Sequence, residues 1–200
     1  MEAVLRPHPS EIEAPGPESW VPSLRELSAD LEASVPGIGS HSRRVCGYAV
    51  AVARELALPH HEVELVRRAA AIHDIGKLEM PVGLVNKPGA LSPEEFAILK
   101  RHALAGARIA QRLGEVDLVP IIRHHHERFD GNGYPDGLVG EDIPLGARIV
   151  AVADTFDAAT SSRPYREAMT EREALRLLWS EAGRQLDPKA VAAFCAAGLA

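Results

Sequence analysis

From Ser23 onward, apolar residues return along the chain at spacings of three and four, the periodicity of helices that bury one face. The first such stretch predicts a short helix from Ser23 to about Ser34, stopped by Pro36, Gly37 and Gly39. Further helices are predicted near 41–57, 61–75, 93–113, 115–128, 146–160, 171–182 and 188–198. Three of their starts carry explicit signals. Ser92, Pro93 and Glu95 make a capping box with a proline in the first turn, Thr170 and Glu173 make a second box, and Asp187 caps a helix opening on Pro188. Runs that could be strands are scarce, Ile149-Val150-Ala151-Val152 being the one tempting case, so the pattern predicts an all-α fold. Residues 1–22 lack this periodicity and hold Pro7, Pro9, Pro15, Pro17 and Pro22, which predicts a flexible or irregular proline-rich arm ahead of one domain over 23–200.

Composition narrows the partners. The chain has 200 residues, enough for one sizeable core, and 46% of them are hydrophobic with 25% charged, as in an ordinary globular protein. A formal net charge of −6 argues against a broad grip on duplex nucleic acid, although a small anion in a local basic pocket stays compatible with it. Cys46 and Cys195 are too few for a disulfide framework or a thiolate zinc site, and as small buried hydrophobes they suit a reducing cytoplasm. No run of 18 apolar residues and no signal-peptide order appear, so a cytoplasmic protein without a membrane span is expected.

Several histidines and acids fall on apolar stripes. Val66, Ala70 and His73 share one helix face, so His73 points inward, and Asp74 beside it can reach the same point only near the helix end. His102 lies on the stripe of Ile98, Ala105 and Ile109, with Phe96, Leu99 and Ala103 alongside. Leu118, Val119 and Ile122 align with His125 and His126, whereas His124 lies further round as a solvated neighbour or a supporting residue. Asp154 sits on an apolar wall with Val150, Asp157 and Ala158, where it needs a partner. A single inward histidine is usually satisfied by an ordinary hydrogen bond. Four helices each delivering such groups inward would cost on the order of a few kcal/mol per unpartnered group. A metal cluster satisfies them together, and nitrogen and oxygen donors without thiolate suit iron, manganese, zinc, cobalt or nickel. His8, His60 and His61 lie outside this set and are expected to face solvent.

The same residues resemble a known family. His73-Asp74-Ile75-Gly76-Lys77 resembles the HD motif of the HD-domain phosphohydrolases, and His125-His126-Glu127-Arg128-Phe129-Asp130-Gly131-Asn132-Gly133-Tyr134-Pro135 resembles the hallmark of their HD-GYP subfamily. Asn86-Lys87-Pro88-Gly89, the stretch from Ala151 to Ala158, and Ser162-Arg163-Pro164-Tyr165-Arg166 follow in the family's order, so the likeness covers roughly 23–198. It implies an HD-domain helical bundle with the extra C-terminal helices of that subfamily. It also implies that His41, His73, Asp74, His102, His125, His126 and Asp154 bind metal, with Asp74 as the bridging carboxylate. Some members add a glutamate four residues before the first histidine and hold three metals; here that position is Gly37, which favours two, unless Glu32 or another carboxylate substitutes.

The implied activity is hydrolysis of cyclic di-GMP to the linear dinucleotide pGpG and on to GMP, or of a related cyclic dinucleotide. Two divalent ions, iron or manganese first, would generate a metal-bridging hydroxide nucleophile and polarise the phosphate. The pattern gives Asp74 and Lys77 catalytic roles, puts Lys77, Arg163 and Arg166 on the phosphates, and leaves Tyr134 either to stack on a base or to pin its loop. Asp157 is expected to orient a neighbour. Two rival readings are an HD hydrolase acting on another nucleotide, and a non-catalytic signalling module docking a partner such as a diguanylate cyclase through the Gly-Tyr-Pro loop. The length leaves no room for an added receiver or sensor domain, which predicts control through expression, partners or metal oxidation state.

Overall fold

A computed structural model describes residues 23–162 and 167–198; the proline-rich arm, Arg163 to Arg166 and the last two residues lie outside the described residues. Ser23 accepts from the Glu26 backbone while the Glu26 carboxylate returns to Ser23, a reciprocal cap that starts α1 (Leu24–Ser34). α2 (Ile38–Glu55) begins three residues earlier than the periodicity predicted. Its N-cap is Gly37 at φ +88°, a backbone angle open to glycine, and the Glu32 carboxylate takes the free N–H groups of Gly37 and Gly39 at 2.9 and 2.6 Å. α3 (His60–Ile72) ends at the His-Asp pair, which is followed by a 3₁₀ turn over Ile75–Glu79. A short helix α4 (Val82–Val85) precedes α5 (Pro93–Leu99), which opens on the predicted Ser92 box.

The predicted 93–113 helix is two helices. α6 (His102–Arg112) restarts after a turn at Lys100 and Arg101, and the Leu99 carbonyl at the break accepts from the His102 ring. The predicted 115–128 helix is likewise shorter: a 3₁₀ turn at Val116–Leu118 leads into α7 (Val119–His124), and His125 and His126 follow its last turn. α8 (Leu145–Thr160) absorbs the strand-like Ile149 to Val152 run. α9 (Glu171–Glu181) starts at the Thr170 box, and α10 (Pro188–Ala196) starts at Asp187, which accepts from Lys189 N at 2.8 Å. Among the described residues β-structure is limited to isolated bridges, so the fold is all-α.

The core lies where α2 packs on α3 and α8. Val45, Ala49, Val52 and Ala53 from α2, Ala69 and Ala70 from α3, and Val150, Val152 and Ala153 from α8 are all fully buried. Most of these are small side chains, which lets the helix axes approach closely. Phe156 of α8 and Phe194 of α10 pack at a tilt of 47° with centroids 4.7 Å apart and tie the C-terminal helices to this core.

One close approach sets the site. A Cβ on Gly76 would lie 1.9 Å from the His102 carbonyl oxygen and 2.4 Å from the Gly106 nitrogen. Only a residue without a side chain lets the turn after the His-Asp pair lie on the first turn of α6, and that contact brings His73, Asp74 and His102 together.

Candidate metal centre

Helix ends orient the imidazoles. His73 closes α3, His102 opens α6 and His125 follows α7. Each donates its Nδ1–H to the carbonyl three residues back, Ala70, Leu99 and Ile122, at 2.8, 2.7 and 2.7 Å. With the proton on Nδ1, each Nε2 carries a lone pair turned into the bundle. His41, on α2, donates Nδ1–H to Asp157 Oδ2 at 2.7 Å, which frees its Nε2 in the same way.

The freed atoms form two groups within bonding reach of an ion: Asp74, His102, His125 and His126, and beside them His41, His73 and Asp154. Asp74 faces both. Its Oδ1 lies 3.4 Å from His102 Nε2, and its Oδ2 lies 3.4 Å from His73 Nε2 and 3.8 Å from His41 Nε2. The Nε2 atoms of His41 and His73 are 3.4 Å apart, as are those of His102 and His125, and His41 Nε2 lies 3.4 Å from Asp154 Oδ1. Two donors each about 2.1 Å from one ion, at octahedral to tetrahedral angles, stand roughly 3.0–3.4 Å apart. The spacing therefore fits cations, and the tautomers leave acceptor facing acceptor, which only positive charge reconciles.

Electrostatics agrees with the hydrogen bonds. Burial pushes the imidazoles of His102 and His125 down, His125 well below the ordinary histidine range, and takes His126 to about 3; neighbouring imidazoles add to the depression. These rings are neutral at pH 7. Burial works to raise Asp74, but Lys77 and the surrounding imidazoles outweigh it and hold the carboxyl well below the usual range. His41 runs the other way: burial opposes its charge, yet the Asp157 hydrogen bond and the charges of Asp154 and Asp74 raise it.

All seven residues expected to bind metal thus meet at one place, joined to an open cleft of about 630 Å³ lined by His41, Asp74, His102, His126, Tyr134 and Asp154 among others. Lys77 stands at the edge with Nζ 2.6 Å from Asp74 Oδ2. The Tyr134 ring lies 4.9 Å from the His126 ring at 30°, and burial together with Asp74 and Asp154 pushes its phenol up. Arg163 and Arg166 lie outside the described residues. Glu32 does not reach the cluster, because both its oxygens hold the start of α2. His60 and His61 are exposed, as expected, and Cys46 and Cys195 are free and half-buried.

Three residues support the donors, and Asp157 takes the orienting place expected of it. Asp157 is buried at 1% exposure and accepts from His41 and, through both oxygens, from the Arg44 guanidinium at 2.5 and 3.0 Å. Arg44 was missed, although its place three residues after His41 puts both on one face of α2. Glu127, buried at 3%, accepts the backbone N–H groups of Asp136 and Gly137 at 2.7 and 3.1 Å and so clamps the loop carrying Tyr134. Gly133 lies on the same backbone, where a Cβ would come within 2.2 Å of Arg128 N. His124 sets Nδ1 2.8 Å from Pro120 O and Nε2 2.9 Å from Asp136 Oδ2, and Arg123 grips the same Asp136 carboxylate.

An all-helical bundle that gathers imidazoles and carboxylates around one shared aspartate defines a class of domain able to hold metal. The chain belongs to the HD-domain family, whose model matches residues 26–190, and within it to the HD-GYP group. It is 43% identical over 173 residues to the cyclic di-GMP phosphodiesterase response regulator RpfG of Xanthomonas campestris, covering 84% of this chain and 46% of that protein. It is 35% identical to the 3'3'-cGAMP-specific phosphodiesterase 2 of Vibrio cholerae, covering 84% of this chain and 34% of that one. A solved HDG"Y"P protein from Bdellovibrio bacteriovorus superimposes with a TM-score of 0.65 at 25% identity, over 86% of this chain and 56% of that one. The chain spans less than half the length of these curated relatives. Among the described residues no helix is long and apolar enough to cross a membrane.

Proposed function

We propose that residues 23–200 form a metal-dependent phosphodiesterase domain that opens a cyclic dinucleotide, cyclic di-GMP first, to the linear dinucleotide pGpG and onward to GMP. His41, His73, Asp74, His102, His125, His126 and Asp154 hold two divalent cations, iron or manganese ahead of zinc, cobalt and nickel. The observation that carries this reading is the pair of Nε2–Nε2 approaches at 3.4 Å between rings whose Nδ1 atoms already donate to backbone or carboxylate. The relatives' names supply the substrate class. Two cations rather than three follow from Gly37 and from Glu32 being spent on the α2 cap.

Bound divalent ions supply Lewis acidity and ionise water at neutral pH. The protein's part is positional. Asp74 offers one oxygen to each donor set and so keeps the two sites in register. Asp157 and Arg44 lock the His41 ring, and Glu127 holds the loop that packs Tyr134 against His126. Lys77 adds positive charge beside Asp74 at the cleft, where it steadies a phosphate, and Arg163 and Arg166 are assigned the same task from the family pattern. Hydrolysis joins a water oxygen to phosphorus and breaks the bond to the ribose 3′ oxygen, which takes up a proton; the product keeps a 5′ phosphate.

The test pairs elemental analysis of anaerobically purified protein with chromatography of products from cyclic di-GMP, the mixed cyclic GMP-AMP dinucleotide and cyclic di-AMP. Near two equivalents of metal and a linear guanine dinucleotide are expected. Full metal occupancy with no turnover of any cyclic dinucleotide would refute the assignment.

A further inference from the structure

The periodicity placed Phe96 beside the inward stripe, but its ring is 43% exposed. A single exposed ring is ordinary on a protein surface; what sets Phe96 apart is its place on a cleft wall beside polar groups, where ligand-binding surfaces are apolar. Phe96 lines the cleft that also contains His102, His126, Tyr134 and Asp154. The rings form a row leading out of the donor cluster: His126 to Tyr134 at 4.9 Å, then Tyr134 to Phe96 at 6.3 Å and 87°. Together these distances bound the span from His126 to Phe96 at about 11 Å. One nucleotide bridges such a span, from its phosphate to the far edge of its purine.

Lys100, one turn after Phe96, completes the feature. Its ammonium stands 4.8 Å from the Phe96 centroid and 5.2 Å from the Tyr134 centroid. No carboxylate among the described residues pairs with it. A cation held over two rings is fixed in place while its N–H donors stay available. Guanine turns two acceptors, O6 and N7, along one edge; adenine has a donor amino group where guanine has O6. An ammonium therefore favours guanine at this position.

Resting on the phosphodiester reading above, we propose that Phe96 and Lys100 form the base-binding wall of the cleft, with the Phe96 ring against the face of one purine of the cyclic dinucleotide and Lys100 selecting guanine at its edge.

The test compares kcat/KM for cyclic di-GMP and for methyl p-nitrophenyl phosphate, a phosphodiester without a purine, in wild type, Phe96→Ala and Phe96→Trp, with bound metal measured on each sample. Phe96→Ala is expected to lose about tenfold more on cyclic di-GMP than on the small ester, mainly through KM, and Phe96→Trp to recover most of it. Equal losses on both substrates, or loss of metal, would make the ring structural and overturn the proposal. Lys100→Met is expected to narrow the preference for cyclic di-GMP over cyclic di-AMP severalfold; an unchanged ratio removes Lys100 from the wall. A wild-type protein that cleaves the small ester but no cyclic dinucleotide overturns both this proposal and the substrate assignment. Wild-type turnover of cyclic di-GMP that Phe96→Ala leaves intact overturns this one alone.

Discussion

Replacing Asp157 by asparagine separates the two donor sets, because Asp157 touches only one of them. Its carboxylate orients His41 through a 2.7 Å hydrogen bond and takes two more from Arg44. Asparagine keeps one acceptor oxygen and puts an NH₂ against the Arg44 guanidinium where the second was, and its surviving bond to His41 is neutral instead of charge-assisted. The Arg44 side chain is 44% exposed and water can solvate it, which limits the stability cost to about 1–2 kcal/mol, below that of a fully buried pair. The cost to metal binding is larger: a more weakly held ring samples other orientations, and disturbing such an orienting partner weakens affinity by about 10- to 100-fold. The set of His102, His125 and His126 with Asp74 is anchored by backbone carbonyls at His102 and His125 and stays intact. Calorimetric titration of chelator-stripped Asp157→Asn with manganese should therefore show one site near wild-type affinity and one weakened, with the thermal midpoint lowered by a few degrees. Two sites weakened equally, or neither, would refute the division of the cluster and the role given to Asp157.

Asp74→Ala, which removes the carboxylate shared by both sets, should empty or halve the bound metal and abolish hydrolysis while the helical circular dichroism persists; retained activity would remove Asp74 from the mechanism. Gly76→Ala forces a Cβ to within 1.9 Å of the His102 carbonyl, so chemical denaturation should show a loss of several kcal/mol, and an unchanged midpoint would mean that the turn does not lie on α6 as described. In metal-stripped protein His126, held near 3 against an ordinary 6.5, binds its proton only on unfolding, so stability is full above about pH 6.5 and falls as pH drops toward 3. His102 and His125 act in the same direction, and His41, which is raised, partly offsets them; thermal melts from pH 7 to 4 should show the decline, about 3 kcal/mol for His126 alone, and a flat profile would place these rings in water. Glu127→Ala leaves the amides of Asp136 and Gly137 without their acceptor and should raise protection-free hydrogen exchange in the 133–137 loop; unchanged exchange there would show that the clamp is not needed.

Much of the site was legible in the order of residues because inward orientation is a local property. The 3.6-residue period turned His73, His102, His125, His126 and Asp154 toward the packed side; His73, His102 and His125 are buried, and His126 and Asp154 are half-buried where the cluster meets the cleft. The Ser92, Thr170 and Asp187 caps were equally local and stand where the side chains alone required. Periodicity misjudged Phe96 and the continuity of 93–113, since neither the turn at Lys100 nor what faces α5 is written in the spacing of apolar residues.

What the chain order determined by itself was therefore the helical class, the starts of several helices, and which imidazoles and acids leave solvent. Tertiary structure alone decided how they group: His41 meets Asp157 across 116 positions, Asp74 divides its two oxygens between two sets, and Glu32 is spent on a helix start instead of the cluster. The reason is that rotation about a helix axis follows from residue spacing, whereas distances between helices follow from how closely side chains such as Gly76, Ala49 and Ala69 allow backbones to approach.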